Sequence, residues 1–410
     1  MVEEPVVFDE EEVDVDTKTH ETEGSLVGGW PAILLTVAMI SAALYAFSPR
    51  PHPPVPPTEV KADQLMTNGL AYQDSRFIAV GELGRILYAD SANGPWKVAM
   101  VEPQRGSNLT QVKFIGKGIA LAVGHSGWLL RSEDGGKSWT ELQFKDNNAD
   151  PLLGIGGPFT GAAADKLFAF GAFGQYLVSS DAGLSWQAET INVLEPPEKE
   201  GEEAEAADAA ADDVFGMAAS TDDPFGGSED DFDPFADFES GGMDADFTGR
   251  HMYDMTQAHD GSLFLVGERG MILRSEDGGG SWMPSEDIYN GSFYGVVNMP
   301  DNSLLVYGMR GNAFRSSDLG GSWQQSQIPL QQGLYDSAVG ADGLVVVVGA
   351  SNTVLVSKDN GKTFKKTTAR GPNANAAIVS LPNKAWLLAG EGGVGRKSLF
   401  QAPTAKGDAS

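Results

Sequence analysis

The chain has 410 residues, 51 of them Gly and none Cys, and a formal net charge of −29. Without Cys there are no disulfides and no thiolate metal sites, and without a basic stripe there is no footprint for a nucleic-acid backbone. The acidity is local: residues 1–25 carry −9 and residues 195–248 carry −18 of the total −29, which leaves −2 for everything else.

Residues 1–25 read as an acidic, disordered tail. Residues 26–47, LVGGWPAILLTVAMISAALYAF, hold no charged side chain. About 20 apolar residues in a helix cross a ~30 Å hydrocarbon core, and Trp30 and Tyr45 lie near the ends, where amphipathic rings favour the headgroups. The segment is predicted to be a transmembrane helix, with the lipid bilayer as its partner. A cleaved signal peptide needs a short basic start, and here Lys18 is the one base in an acidic lead. Lys18 before the helix and Arg50 and Lys61 after it leave orientation open by positive charge alone. Residues 48–62 form a linker whose run PRPHPPVPP has six Pro in nine residues, a stiff polyproline spacer.

Residues 63–403 carry an internal repeat. An apolar run ends in Gly, turn residues follow, and a second apolar run ends near Ser. The anchoring glycines are Gly81, Gly124, Gly171, Gly267, Gly308, Gly349 and Gly390, spaced 43, 47, 96, 41, 41 and 41 residues apart. Short apolar runs punctuated by Gly at this period indicate the short strands of a repeat array. The long interval is one repeat plus an insertion of about 50 residues, the acidic block 195–248. Residues 404–410 are a tail.

A tight turn, S-x-D-x-G-x-[ST]-[WF], closes five of the repeats. Its Asp and aromatic residues are Asp134 and Trp139, Asp181 and Trp186, Asp277 and Trp282, Asp318 and Trp323, and Asp359 and Phe364. Asp bonds backbone N–H groups ahead of it, Gly supplies φ > 0, and the ring packs beneath the hairpin. A ligand site and a structural staple both fit these residues; recurrence in register favours the staple.

These turns resemble the Asp-box, or BNR, repeat. The longer pattern G-x-x-G-x-[IL]-L-R-S-x-D-G-G-x-[ST]-W resembles the photosystem II stability and assembly factors and their non-photosynthetic bacterial relatives. The resemblance implies an all-β, seven-bladed propeller of four-stranded blades. It also implies an assembly role and a basic patch for a client protein. The anchor and the acidic insertion depart from that family's pattern, so a photosynthetic role is not carried over.

On this reading the turns between second and third strands gather Glu82, Arg85, His125, Trp128, Phe173, Glu268, Arg269, Arg310 and Glu391 around one mouth. Arg131, Arg274, Arg315 and Lys397 share one position of the third strand, as candidates for the basic patch. Solvated hairpin tips and Arg stems lying on the sheet are the structural alternatives. In the insertion, Phe225, Phe232, Phe235 and Phe238 are candidate anchors for a partner in an otherwise disordered acidic segment. The outer strand of the last blade is expected from the segment before Leu65.

No phosphate loop, nucleophile elbow or metal-ligand spacing is present. No cofactor and no metal are expected. The reading is a membrane-anchored binding or assembly scaffold, not an enzyme, for an integral membrane complex such as a transporter. Its place is the bacterial inner membrane, single-pass, with the propeller in the periplasm, since Asp-box proteins are mostly extracytoplasmic. The alternative is a tethered glycan-binding protein or a sialidase-like glycoside hydrolase.

Overall fold

The structure is a computed structural model that describes residues 30–47, 60–145, 149–195, 247, 249–368, 374–394 and 399–401. The acidic insertion's Phe225, Phe232, Phe235 and Phe238, and Lys397, lie outside the described residues. The chain divides into two units, Met1–Glu59 and Val60–Ser410.

In the first unit, Trp30–Phe47 is an α-helix of 18 residues with mean hydropathy 1.8 and no buried side chain. It is long and apolar enough to cross a membrane.

The second unit is an all-β propeller. Its sheets are numbered here by their inner strands: Thr67–Gln73, Leu109–Gly116, Leu152–Gly156, Met252–Gln257, Phe293–Asn298, Leu334–Val339 and Asn375–Ser380. Within a sheet the strands follow chain order and pair antiparallel, as in Met252–Gln257, Leu263–Gly267, Ile272–Ser275 and Met283–Pro284 of sheet 4. Sheet 2 gains a fifth strand, Met100–Glu102, parallel to its outer strand Ser138–Gln143. Sheet 7 has three strands, Asn375–Ser380, Ala385–Gly390 and Leu399–Gln401. This corrects the expectation of seven four-stranded blades: six are complete, and the seventh sheet lacks an outer strand among the described residues. The described residues before Leu65, 60–64, do not supply it. Residues 60–66 form turns there, with Ala62 accepting a hydrogen bond from the Val394 N–H at 2.8 Å.

The second strand of each sheet is apolar because both its faces are covered, apart from Arg76 at the start of the first. Leu263–Gly267 and Val345–Gly349 are buried at every residue. Apolar clusters fill the gaps between neighbouring sheets. One of them joins Leu387 and Ala389 of sheet 7 to Leu70 and Ala79 of sheet 1 and closes the ring.

The anchoring glycines have a steric cause. At Gly267 a Cβ would fall on the His251 carbonyl oxygen, and the same crowding recurs at the six equivalent positions. That carbonyl accepts the N–H of the next residue, Glu268, at 2.9 Å. The glycine therefore lets the turn close onto the inner strand; its φ is not the reason.

The Ser-x-Asp turns repeat one hydrogen-bond set. In the second sheet, Ser132 donates to Asp134 Oδ1 at 2.9 Å and accepts from Gly136 N–H at 2.9 Å. Asp134 accepts from the N–H groups of Lys137 and Ser138, and the Ser138 hydroxyl donates to Oδ2 at 2.6 Å. Trp139, Trp282 and Phe364 are buried below their turns, while Trp186 and Trp323 are half-buried. In all five turns the Asp carboxylate accepts the N–H of the residue four positions on.

Candidate functional site: the aromatic mouth of the channel

Each inner strand starts with a bulge, a register shift at Thr67/Gly69, Leu109/Gln111, Leu152/Gly154, Met252/Asp254, Phe293/Gly295, Leu334/Asp336 and Asn375/Ala377. A bulge re-aims the extra residue out of the ladder. Here all seven extra residues line the central cavity of about 640 Å³. They are Asn68, Thr110, Leu153, Tyr253, Tyr294, Tyr335 and Ala376.

Three consecutive sheets put tyrosine at this position. Tyr253 and Tyr294 meet edge to face with centroids 5.2 Å apart, and Tyr294 and Tyr335 follow at 6.0 Å. His251 lies 6.3 Å from Tyr253, and Phe173, at the tip of a turn in sheet 3, packs edge-on against His251 at 4.7 Å. Phe173 is 63% exposed and Tyr335 42%. The result is a continuous aromatic arc over sheets 3 to 6, open to solvent at both ends. Burial first, then the neighbouring Tyr294 and Glu268, pushes the Tyr253 phenol up to about 12, so it stays protonated. Tyr294 is raised for the same reason.

Immediately inward come Asp254 and Asp336, each one residue past its tyrosine, with Lys113 and the Tyr307 hydroxyl. Asp254 accepts from the N–H of Met255 at 2.9 Å and of Val296 in the next sheet at 3.0 Å. Asp336 accepts from Ser337 N–H and, in sheet 7, Ile378 N–H, both at 2.8 Å. Lys113 donates to the Ile155 carbonyl in sheet 3 at 3.2 Å. These side chains stitch adjacent inner strands together while lining the cavity. Burial lowers the Lys113 ammonium below its ordinary pKa, against the pull of Asp254 and Asp336. Burial raises Asp254, and it raises Asp336 to about 7. Gly295 is what admits Tyr307: a Cβ there would fall on the phenol.

The residues singled out in the sequence divide. Arg269 and Arg310 are exposed at turn tips with φ of 54° and 56°, in the same rank as Leu83, Ser126 and Phe173. His125 is exposed on the same face, and Arg85 is half-buried. Glu82, Glu268 and Glu391 cap inner strands, accepting from the N–H groups of Met66, His251 and Ala374 at 3.1, 3.3 and 3.3 Å. Trp128 is not on the surface: it is fully buried, with Nε1 donating to Glu141 at 2.9 Å and Phe144 edge-on. Packing of sheet 2 on sheet 1 takes the ring that its turn position suggested for the mouth.

Arg131, Arg274 and Arg315 lie at the Ser-x-Asp end of their strands, away from the mouth. Arg131 pairs with Glu133, Arg274 with Asp260 at 2.9 Å and Glu276 at 3.1 Å, and Arg315 with Asp301 at 2.7 Å. Arg315 also donates to the Asn360 carbonyl of the next sheet at 3.0 Å. Each arginine thus has an acid of its own.

The tyrosines were missed, although Tyr253, Tyr294 and Tyr335 stand 41 residues apart in Met-Tyr-Asp, Phe-Tyr-Gly and Leu-Tyr-Asp. That spacing was the available signal. The acidic insertion rejoins the fold at this mouth. Phe247 is buried, Arg250 stacks over its ring at 4.6 Å, and the Arg250 carbonyl accepts from Gly174 N–H in the sheet 3 turn at 3.1 Å.

The class these features define is a β-propeller with an aromatic, solvent-open mouth. No protein-family model and no curated protein matches the sequence. Solved structures do match the fold. One, "YCF48 bound to D1 peptide", is 15% identical with a TM-score of 0.54, over 86% of this chain and 100% of that one. YCF48 from Cyanidioschyzon merolae is 13% identical with a TM-score of 0.55, over 83% and 96%. The WD40 β-propeller domain of Doa1 is 10% identical with a TM-score of 0.53, over 83% and 92%. At such identities the likeness is one of fold.

Proposed function

We propose that this chain is a membrane-anchored propeller of the Asp-box type that holds a segment of an integral membrane protein, as a scaffold and not as an enzyme. The aromatic arc from Phe173 to Tyr335 carries this reading. Aromatic rings on a rigid scaffold, exposed at Phe173 and Tyr335 and flanked by Arg269 and Arg310, suit a polypeptide partner, since aromatic residues and Arg dominate binding energy at interfaces. The fold likeness to a YCF48 that binds a D1 peptide supports it. Glu82, Glu268 and Glu391, the carboxylates a hydrolase would draw on, are occupied as strand caps. Arg85 and His125 would form the rim of the same surface, with Phe225, Phe232, Phe235 and Phe238 of the insertion as further anchors on the partner. The helix Trp30–Phe47 is read as the anchor, in a bacterial inner membrane, with the propeller in the periplasm.

A photo-crosslinking residue at Phe173, against one at Glu133 on the opposite face, tests this in intact membranes. The expected result is an adduct with an integral membrane protein from position 173 alone. Equal labelling from both positions, or none from 173, would refute it. Protease added to spheroplasts should degrade the propeller; protection until lysis would reverse the orientation.

A further inference from the structure

We propose that the mouth of the channel is a receptor for an organic cation, an ammonium or guanidinium group, held by Tyr253, Tyr294 and Tyr335 above Asp254 and Asp336. This goes beyond the scaffold reading and does not depend on which macromolecule the face holds.

The three phenol rings form a collar with neighbouring centroids 5.2 and 6.0 Å apart. Two of them are followed in the chain by the carboxylates, and all five residues line one cavity of about 640 Å³. A cation is attracted to the faces of aromatic rings within about 6 Å, more so where water is displaced. An anion is repelled by the same faces and by the two acids.

The charged residues lining the cavity are Lys113, Asp254 and Asp336. With both acids ionised, one negative charge has no counterpart. Tyr307, Tyr253 and Tyr294 contribute no charge near neutrality, since burial raises all three phenols. Lys113 feels the pull of both carboxylates, but burial outweighs that pull and lowers its ammonium overall, so it does not neutralise them fully. The rise of Asp336 to about 7 has burial as its largest cause and repulsion from Asp254 among the others, and a bound cation would relieve both. Binding should therefore release protons just below neutrality.

A hydrated divalent metal fits less well. Such ions demand several oxygen ligands. Among the described residues no group of three or more His, Asp or Glu is placed to hold one. Both carboxylates also already accept two backbone N–H groups each.

The cation could come from a free small amine or from the Lys or Arg side chain of a partner, and the test separates these. The full chain in detergent micelles is titrated calorimetrically with n-butylammonium chloride, with the peptide acetyl-Gly-Arg-Gly-amide, and with its Gln counterpart. Saturable binding of a cationic probe, with none of the Gln peptide, is expected. Tighter binding of the Arg peptide assigns the site to a partner's side chain, and tighter binding of butylammonium to a free amine. Asp336→Asn should weaken binding about tenfold or more, as expected when one partner of a desolvated charge pair is lost. Tyr294→Ala should weaken it roughly three- to thirtyfold, and its ring is only half-buried, so the fold survives. At pH 6.5 the heat should vary with buffer ionisation enthalpy in the sense of proton release, an effect absent in Asp336→Asn. No saturable binding of either cationic probe overturns the proposal. So does binding that Tyr294→Ala and Asp336→Asn leave unchanged.

Discussion

Asp277 and Asp336 place one functional group in opposite surroundings. Around Asp277, partial burial pushes the pKa up, but bonds from the N–H and hydroxyl of Ser281, from Ser275 and from Gly280 N–H outweigh it and hold it at about 2. Its contribution to stability is complete above the ordinary 3.8 and is lost as pH falls through about 2. Asp336 is governed by burial, and bonds from Ile378 and Ser337 bring it back only to about 7. Its contribution is complete below 3.8 and is lost as pH rises through about 7. Asp277→Asn should cost about 1–2 kcal/mol at pH 6, with the difference from the parent vanishing by pH 2. Asp336→Asn, which loses one acceptor but no longer ionises, should gain on the parent from pH 4 to about 7 and level off above it. Urea unfolding across pH 2–8 measures both. Differences that run with pH in the same direction for the two variants would contradict this assignment.

At the scale of the element, the repeat was legible because its causes are local. A second strand covered on both faces must be apolar throughout, and the turn after it must begin with Gly. The Ser-x-Asp turn closes on itself within seven residues. The inner strands were less legible. Their bulges depend on how they register with the second strand, and no residue type marks the extra position. It holds Asn68, Thr110, Leu153 and Ala376 as readily as tyrosine. Trp128 was misplaced for a related reason: position in a turn does not say whether a neighbouring sheet covers the ring. Gly267→Ala forces a Cβ onto the His251 carbonyl and disturbs the Glu268 N–H bond. It should cost about 2–4 kcal/mol, in the range of strained or overpacked core substitutions. Gly249→Ala, where nothing lies within 4 Å and no positive φ is involved, is the control and should be near neutral. Chemical denaturation of the two variants decides it; equal stability would remove the steric explanation.

A propeller has no free end only if its last sheet reaches its first, and among the described residues the closure is made without a borrowed outer strand. The sequence suggested that residues before Leu65 complete the seventh sheet. What they do instead follows from their composition: Val60, Ala62 and Leu65 are apolar residues in a turn, too short a run for a ladder. They pack into the cluster that also holds Leu387 and Val394 of the seventh sheet region and Leu70 and Leu87 of the first. One backbone bond fixes them, from Val394 N–H to the Ala62 carbonyl. Gly393 is needed beneath it, since a Cβ at that position would strike the same carbonyl. The segment is therefore a wedge across the closing seam. Deleting residues 60–65, with the linker rejoined at Met66, exposes that seam. The loss of a buried Leu side chain and its neighbours is worth about 2–3 kcal/mol, or a Tm lower by several degrees at roughly 2 °C per kcal/mol for a body of this size. Hydrogen exchange should locate the damage: amides of Asn375–Gly390 and Thr67–Gly81 lose protection first, while those of Phe293–Gly308, across the ring, keep theirs. A deletion variant with an unchanged Tm, or with protection lost evenly round the ring, would mean that sheets 7 and 1 hold each other without the wedge.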